Sequence, residues 1–170
     1  MLGNFRGWEF CNWEKHFSKD GSGHDALVRQ LKKLIRYKYH LNFGKLDDKE
    51  ESIAWRPGEK PIFAHNPDVI INIGEKPEDR IFIEYVNTTG KSLQNFIRDF
   101  RGMLALSAVV KRCRGFVLAI RHSIYPECWR LVPHAIRCDP IEIMSLKSLF
   151  FALDHEDYDY LVGRVKKHAT

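Results

Sequence analysis

The sequence predicts an α/β domain, a mixed central β-sheet flanked by helices, and three stretches carry that prediction. "DVIINI" and "RIFIEYV" are short runs rich in Val, Ile, Phe and Tyr, separated by the turn-forming "GEKPED", which is the pattern of a β-hairpin. "HDALVRQLKKLIRYKYHL" places Leu27, Leu31, Leu34 and Ile35 on one helical face, with Arg29, Lys32, Lys33 and Arg36 largely on the others. "SLQNFIRDFRGMLALSAVVKR" keeps Leu93, Phe96, Ile97, Phe100 and Leu104 in helical register before "GFVLAIR" returns as a strand. In the order strand, strand, helix, strand, the last strand can lie parallel to the second through a crossover.

The other elements read less sharply. "NFRGWEFCNWEKHF" suits a short helix, "IAWR" and "PIFAH" are strand material, and "GKLDDKEES" is a polar connection. "WRLVPHAIR" reads as a further strand, while "PIEIMSLKSLFFALDH" and "EDYDYLVGRVKKH" read as helices. A chain of 170 residues fits a single domain (1–170), with a core over about 18–121 and a C-terminal helical part over about 139–170.

Composition narrows the function classes. Hydrophobic residues at 44% and charged residues at 29% exclude a disordered tail and match a globular domain. A net charge of +5 favours a polyanionic partner. Cys11, Cys113, Cys128 and Cys138 have no CxxC spacing, which argues against a zinc or redox motif and for reduced thiols. No apolar run approaches the roughly 18 residues of a membrane helix, and the charged, Trp-containing N-terminus lacks a signal-peptide core. The expected location is therefore cytoplasmic, with no membrane partner.

The hairpin carries one carboxylate at the outer end of each strand. If its turn centres on Lys76, Ile70 faces Phe82, Asn72 faces Arg80, and Asp68 faces Glu84. Directly opposed side chains on one face lie about 5 Å apart at Cβ, close enough for two carboxylates to share a divalent cation. Ordinary strand-end acids are the alternative. Ile70, Phe82 and Val86 share the face of the acids, and Val69, Ile71, Ile73, Ile81, Ile83 and Tyr85 fill the reverse face, so both faces are expected to be buried.

"PD" at Pro67 and Asp68, the hairpin, the acid Glu84 inside "IEYVNTTGKS" and a following basic amphipathic helix together resemble the PD-(D/E)XK nuclease superfamily. "KDGSGHDALVRQLKKL" is similar to the first core helix of such nucleases, and the resemblance runs from about Ser18 to Arg121. It implies a restriction-endonuclease-like core and a magnesium or manganese ion on Asp68, Glu84 and the backbone carbonyl of Tyr85. Asp25 matches the acid that some members carry on the first helix. Viral RNA endonucleases use a histidine there, and His24 is adjacent to Asp25. Adjacent helix positions point about 100° apart, and hard magnesium favours oxygen, so Asp25 is the expected ligand and His24 a residue of the helix start. The family's lysine would stand at position 86, which is Val86 here. Lys91 is the nearest replacement for the catalytic charge, with Gln94 as a water-holding alternative.

Phosphate contacts are expected from Lys32, Lys33 and Arg36 on the first helix and from Arg98, Arg101 and Arg112 on and after the second. The resulting expectation is a metal-dependent endonuclease acting on DNA rather than RNA, assembled as a homodimer or with a partner subunit. The alternatives are a catalytically impaired nuclease-fold subunit that binds nucleic acid, for which Val86 speaks, and a cap-snatching-like RNA endonuclease, for which His24 speaks.

Overall fold

Two apolar faces on one sheet organise the chain. In a computed structural model, residues 23–50, 66–86, 94–120 and 141–163 are described. They form α1 (Gly23–Tyr37), β1 (Asn42–Phe43), β2 (Val69–Asn72), β3 (Arg80–Val86), α2 (Gln94–Val109), β4 (Gly115–Ile120), β5 (Ile141–Ser145), α3 (Leu146–Asp154) and α4 (Tyr158–Leu161), with a single 3-10 turn at Pro77–Asp79. The sheet order is β1-β2-β3-β4-β5. β1, β2 and β3 pair antiparallel, whereas β3, β4 and β5 run parallel, so the expected mixed sheet and parallel crossover are present.

Strand β3 shows why the sheet sits in the middle: every one of its residues is buried, as a strand covered on both faces must be. Side chains alternate across it. Ile81, Ile83 and Tyr85 join Val69, Ile71, Val117 and the apolar stripe of α1, closed over by α3 and α4. Phe82 and Val86 join Phe116, Leu118, Ile120 and α2 on the reverse face. The result is three layers, helix, sheet and helix. Each large apolar side chain buried there contributes about 1.5–3 kcal/mol relative to exposure.

Several elements differ from the sequence expectation. "PIEIMSLKSLFFALDH" is not one helix, because Ile141–Ser145 is an edge-ward parallel strand before α3 begins. Ile141 and Ile143 pack on the α2 face and Met144 on the other, and Ser145 then ends the strand by accepting the Ser148 N–H as the N-cap of α3. Of the last stretch, the described residues are helical over Tyr158–Leu161, and that helix stops before Gly163, whose φ of 69° suits glycine. Strand β1, inside what reads as a helix-to-loop transition, is an addition. The expected N-terminal helix and the "IAWR", "PIFAH" and "WRLVPHAIR" strands lie outside the described residues. No helix among the described residues is long and apolar enough to cross a membrane.

The acidic "DHEDYDY" is structural cement. Asp154 accepts hydrogen bonds from Lys38 Nζ at 2.8 Å and Tyr39 Oη at 2.9 Å, Asp159 pairs with Arg114, and Asp157 caps α4. Burial, together with the Asp154 carboxylate, holds the Tyr39 hydroxyl protonated far above its usual range.

Arg80, at the start of β3, is buried with its guanidinium fully engaged. Nη1 and Nη2 each donate to a Glu50 oxygen at 2.7 Å, and the remaining donors reach the carbonyls of Pro77, Lys45 and Arg112. All five donors of the planar fork thus have an acceptor. Glu50 in turn exchanges hydrogen bonds with Asp47, so one ion pair ties β3 to the segment after β1 and to the connection before β4. Removing one partner of such a pair leaves a buried charge alone, so Arg80→Met is expected to cost about 3–5 kcal/mol in urea unfolding. Arg80→Met with Glu50→Leu should recover part of that loss, and a single-variant loss below about 1 kcal/mol would show that solvent already screens the pair.

Candidate metal centre

The hairpin register is the one the sequence predicts. Val69↔Ile83, Ile70↔Phe82, Ile71↔Ile81 and Asn72↔Arg80 are partners, and the ladder stops there. Pro67 has no N–H with which to continue it. The two acids take over: Glu84 Oε2 accepts the Asp68 N–H at 3.0 Å, and Asp68 Oδ2 accepts the Tyr85 N–H at 2.8 Å. Glu84 is buried and Asp68 half-buried. Asp68, Glu84 and Tyr85 therefore meet at the carboxyl end of the central strand. That is the edge where open α/β sheets bind ligands.

Helix α1 brings a fourth residue to this edge. His24 Nε2 stands 3.1 Å from Asp68 Oδ2 and 3.0 Å from the Tyr85 carbonyl oxygen, and its ring stacks on Tyr85 at 6.1 Å between centroids. The hydrogen bond to Asp68 is the main force that pushes the His24 pKa up to about 9, against the opposing effect of burial. Asp25, the expected ligand of this helix, points elsewhere: its side chain is 90% exposed and comes no nearer than 3.5 Å to His24 Nδ1. The helical period explains the exchange. His24 lies in line with Leu27, Val28, Leu31 and Ile35, the buried stripe of α1, whereas Asp25 is rotated about 100° away from it. That alignment is legible in the sequence, whereas the preference of a hard ion for oxygen favours Asp25.

The remaining expected site residues divide. Lys32, Lys33 and Arg36 are exposed on α1, and the Arg36 guanidinium lies over the Phe43 ring at 5.1 Å. Arg98 and Arg101 are exposed on α2, across the sheet from α1, with Arg98 paired to the buried Asp99. Arg112 stands apart. It pairs with Glu78 at 2.7 Å, and its carbonyl holds Arg80, at the start of β3. Glu84 is four residues further on, about 13 Å along the strand. Val86 is fully buried in the α2 layer and offers no charge to the site. Gln94 is exposed at the start of α2, and Lys91 lies outside the described residues.

Among the described residues no three His, Cys, Asp or Glu side chains gather into a metal-holding group. The convergent donors here are two side chains and a main-chain carbonyl. Adjacent ligands on an octahedral ion bound at about 2.1 Å stand about 3 Å apart. The separations of His24 Nε2 from Asp68 Oδ2 and from the Tyr85 oxygen, 3.1 Å and 3.0 Å, fit that spacing, provided the imidazole gives up its proton. The mixed nitrogen and oxygen set suits manganese better than magnesium.

No family model, no curated protein and no solved structure matches the chain.

Protonated His24 stabilises the metal-free fold. Its folded-state pKa lies above the ordinary 6.5, so this contribution is complete below about pH 6.5 and is lost as the pH rises through about 9. An NMR titration of the metal-free protein is expected to place the His24 midpoint near 9, and Asp68→Asn should return it toward 6.5. A wild-type midpoint already at 6.5 would show that the Asp68 contact is not kept in solution.

Proposed function

We propose that this chain is a divalent-metal-dependent endonuclease that hydrolyses phosphodiester bonds, with the ion held by His24, Asp68 and the Tyr85 carbonyl and with Glu84 beside them. The observation that carries this reading is the convergence of His24 Nε2, Asp68 Oδ2 and the Tyr85 oxygen at the carboxyl end of β3. An antiparallel hairpin leading through a helix into a parallel strand supports a restriction-endonuclease-like core of the PD-(D/E)XK kind.

A bound divalent ion would supply a water of lowered pKa and neutralise charge on the phosphate. The chain's own contribution is to hold the ligands in place. Glu84 fixes the Asp68 backbone, the Tyr85 N–H orients the Asp68 carboxylate, and the stacked Tyr85 ring sets the His24 imidazole. His24 must release a proton to act as a ligand, which couples metal affinity to pH.

Two observations support variants of this reading. Valine at position 86 leaves the attacking water without a lysine there, which supports a catalytically impaired, nucleic-acid-binding subunit. His24 at the centre in place of Asp25 supports an RNA-cutting enzyme, because the viral RNA endonucleases of the superfamily that the sequence resembles carry a histidine on this helix.

Calorimetric titration of manganese is expected to show binding by the wild type and by Asp25→Ala, and none by Asp68→Ala or His24→Ala. Below the His24 pKa of about 9, affinity should rise roughly tenfold per pH unit, as expected for release of one proton. Absence of manganese binding even with nucleic acid present would end the enzyme reading. Where manganese binds, turnover of plasmid DNA and of an RNA strand assigns the substrate, and no turnover of either selects the impaired subunit.

A further inference from the structure

A cleft opens beside the metal centre, and it is made by the way β1 leaves β2. The two strands pair at Asn42↔Asn72 and Phe43↔Ile71, and the Gly44 N–H still reaches the Ile70 carbonyl at 2.8 Å. A Cβ on Gly44 would stand 2.6 Å from Asn72 Oδ1 and 2.8 Å from Ile70 Cγ2, so any side chain there would have to displace both neighbours. Beyond it the chain separates from β2. The gap, about 340 Å³, runs between Lys45 and Leu46 on one side and 66–70 on the other, with Lys32 contributed by α1. Asp68 forms part of its wall, so the cleft and the metal centre share a residue.

Its lining is cationic and apolar. The charged residues lining it are Lys32, Lys45 and Asp68, and Asp68 is already engaged by His24. Both lysines are exposed, and among the described residues neither forms an ion pair. By contrast, Lys38, Arg80, Arg98, Arg112 and Arg114 each sit on a carboxylate. Phe43 and Ile70 add an apolar lining of the kind on which a base or sugar rests. The volume is at the small end of ligand pockets, room for about one nucleotide. It is too small for a duplex, whose major groove alone is about 12 Å wide.

We propose that this cleft seats one nucleotide of a single-stranded substrate beside the metal centre, with Lys32 and Lys45 on its phosphates and its base or sugar against the apolar part of the lining. The proposal rests on the endonuclease reading and narrows its substrate class to single strands. Lys32 and Lys45 are then positioning residues, and Lys45 takes a role that lay outside the residues expected to touch nucleic acid.

The test is fluorescence anisotropy of short labelled strands on the full chain in chelator. Single-stranded DNA, single-stranded RNA and a duplex of equal length are compared for the wild type, Lys32→Gln, Lys45→Gln, the double variant and Lys76→Gln, which lies in the hairpin turn. The wild type should prefer a single strand to the duplex, and the double variant should bind that strand at least tenfold more weakly. Each lost phosphate contact flattens the slope of log affinity against log salt by about 0.7, so the double variant should lose about 1.4. Lys76→Gln should bind as the wild type does, and manganese titration of the double variant should be unchanged, which also shows that it is folded. Wild-type affinity and salt slope in the double variant, a preference for duplex, or no binding of any strand would each overturn the proposal. Those results would leave the metal centre standing, whereas strand binding without manganese binding would overturn the metal reading and not the cleft.

Discussion

The fold depends on the buried guanidinium of Arg80. A fork with five donors and no acceptor can be buried only where carbonyls and a carboxylate surround it in one plane, and here they come from the turn before β3, the segment after β1 and the connection before β4. Arg80 is also the register partner of Asn72, so the interaction that anchors the start of β3 also fixes how β2 lies beside it. A slip of one residue would turn Val69 and Ile71 away from α1 and bring Ile70 into their place, at the expense of both cores.

The chemistry stands at the opposite end of the same strand. Because the register is fixed at Arg80, Asp68 and Glu84 arrive together where Pro67 stops the ladder, and their carboxylates take the N–H groups that the sheet leaves over. The acids therefore have a structural task as well as the proposed chemical one. The Tyr85 main chain offers Asp68 its N–H and His24 its carbonyl, so the candidate centre inherits the rigidity of a strand buried on both faces. This is the support that a preorganised site needs.

Charge is distributed along the same division. The acidic C-terminal stretch neutralises Lys38 and Arg114, Glu78 neutralises Arg112, and Glu50 neutralises Arg80. Lys32 and Lys45, at the cleft, are not matched in this way among the described residues. Lys33 and Arg36 on α1 and Arg101 on α2 are likewise outside any ion pair among the described residues, so the two cleft lysines are part of a wider set of uncompensated cations.

By itself the sequence determined the elements whose pattern is local: the apolar stripe of α1, the hairpin with its turn about Lys76, the amphipathic α2 and the apolar run of β4. Periodicity and turn chemistry act over a few residues, and the adjacency of Asp68 and Glu84 followed from them. Tertiary structure decided what depends on contacts far apart in the chain. Ile141–Ser145 became a strand because β4 offered it a ladder and both cores offered it cover, which no window of its own residues expresses. Arg80 took Glu50, and Lys45 came to share a cleft with Lys32 and Asp68, because the sheet brings those segments together. The choice of His24 over Asp25 lies between the two: the helical period put His24 in the buried stripe, but only the docking of α1 on the sheet set its imidazole against Asp68 and the Tyr85 carbonyl.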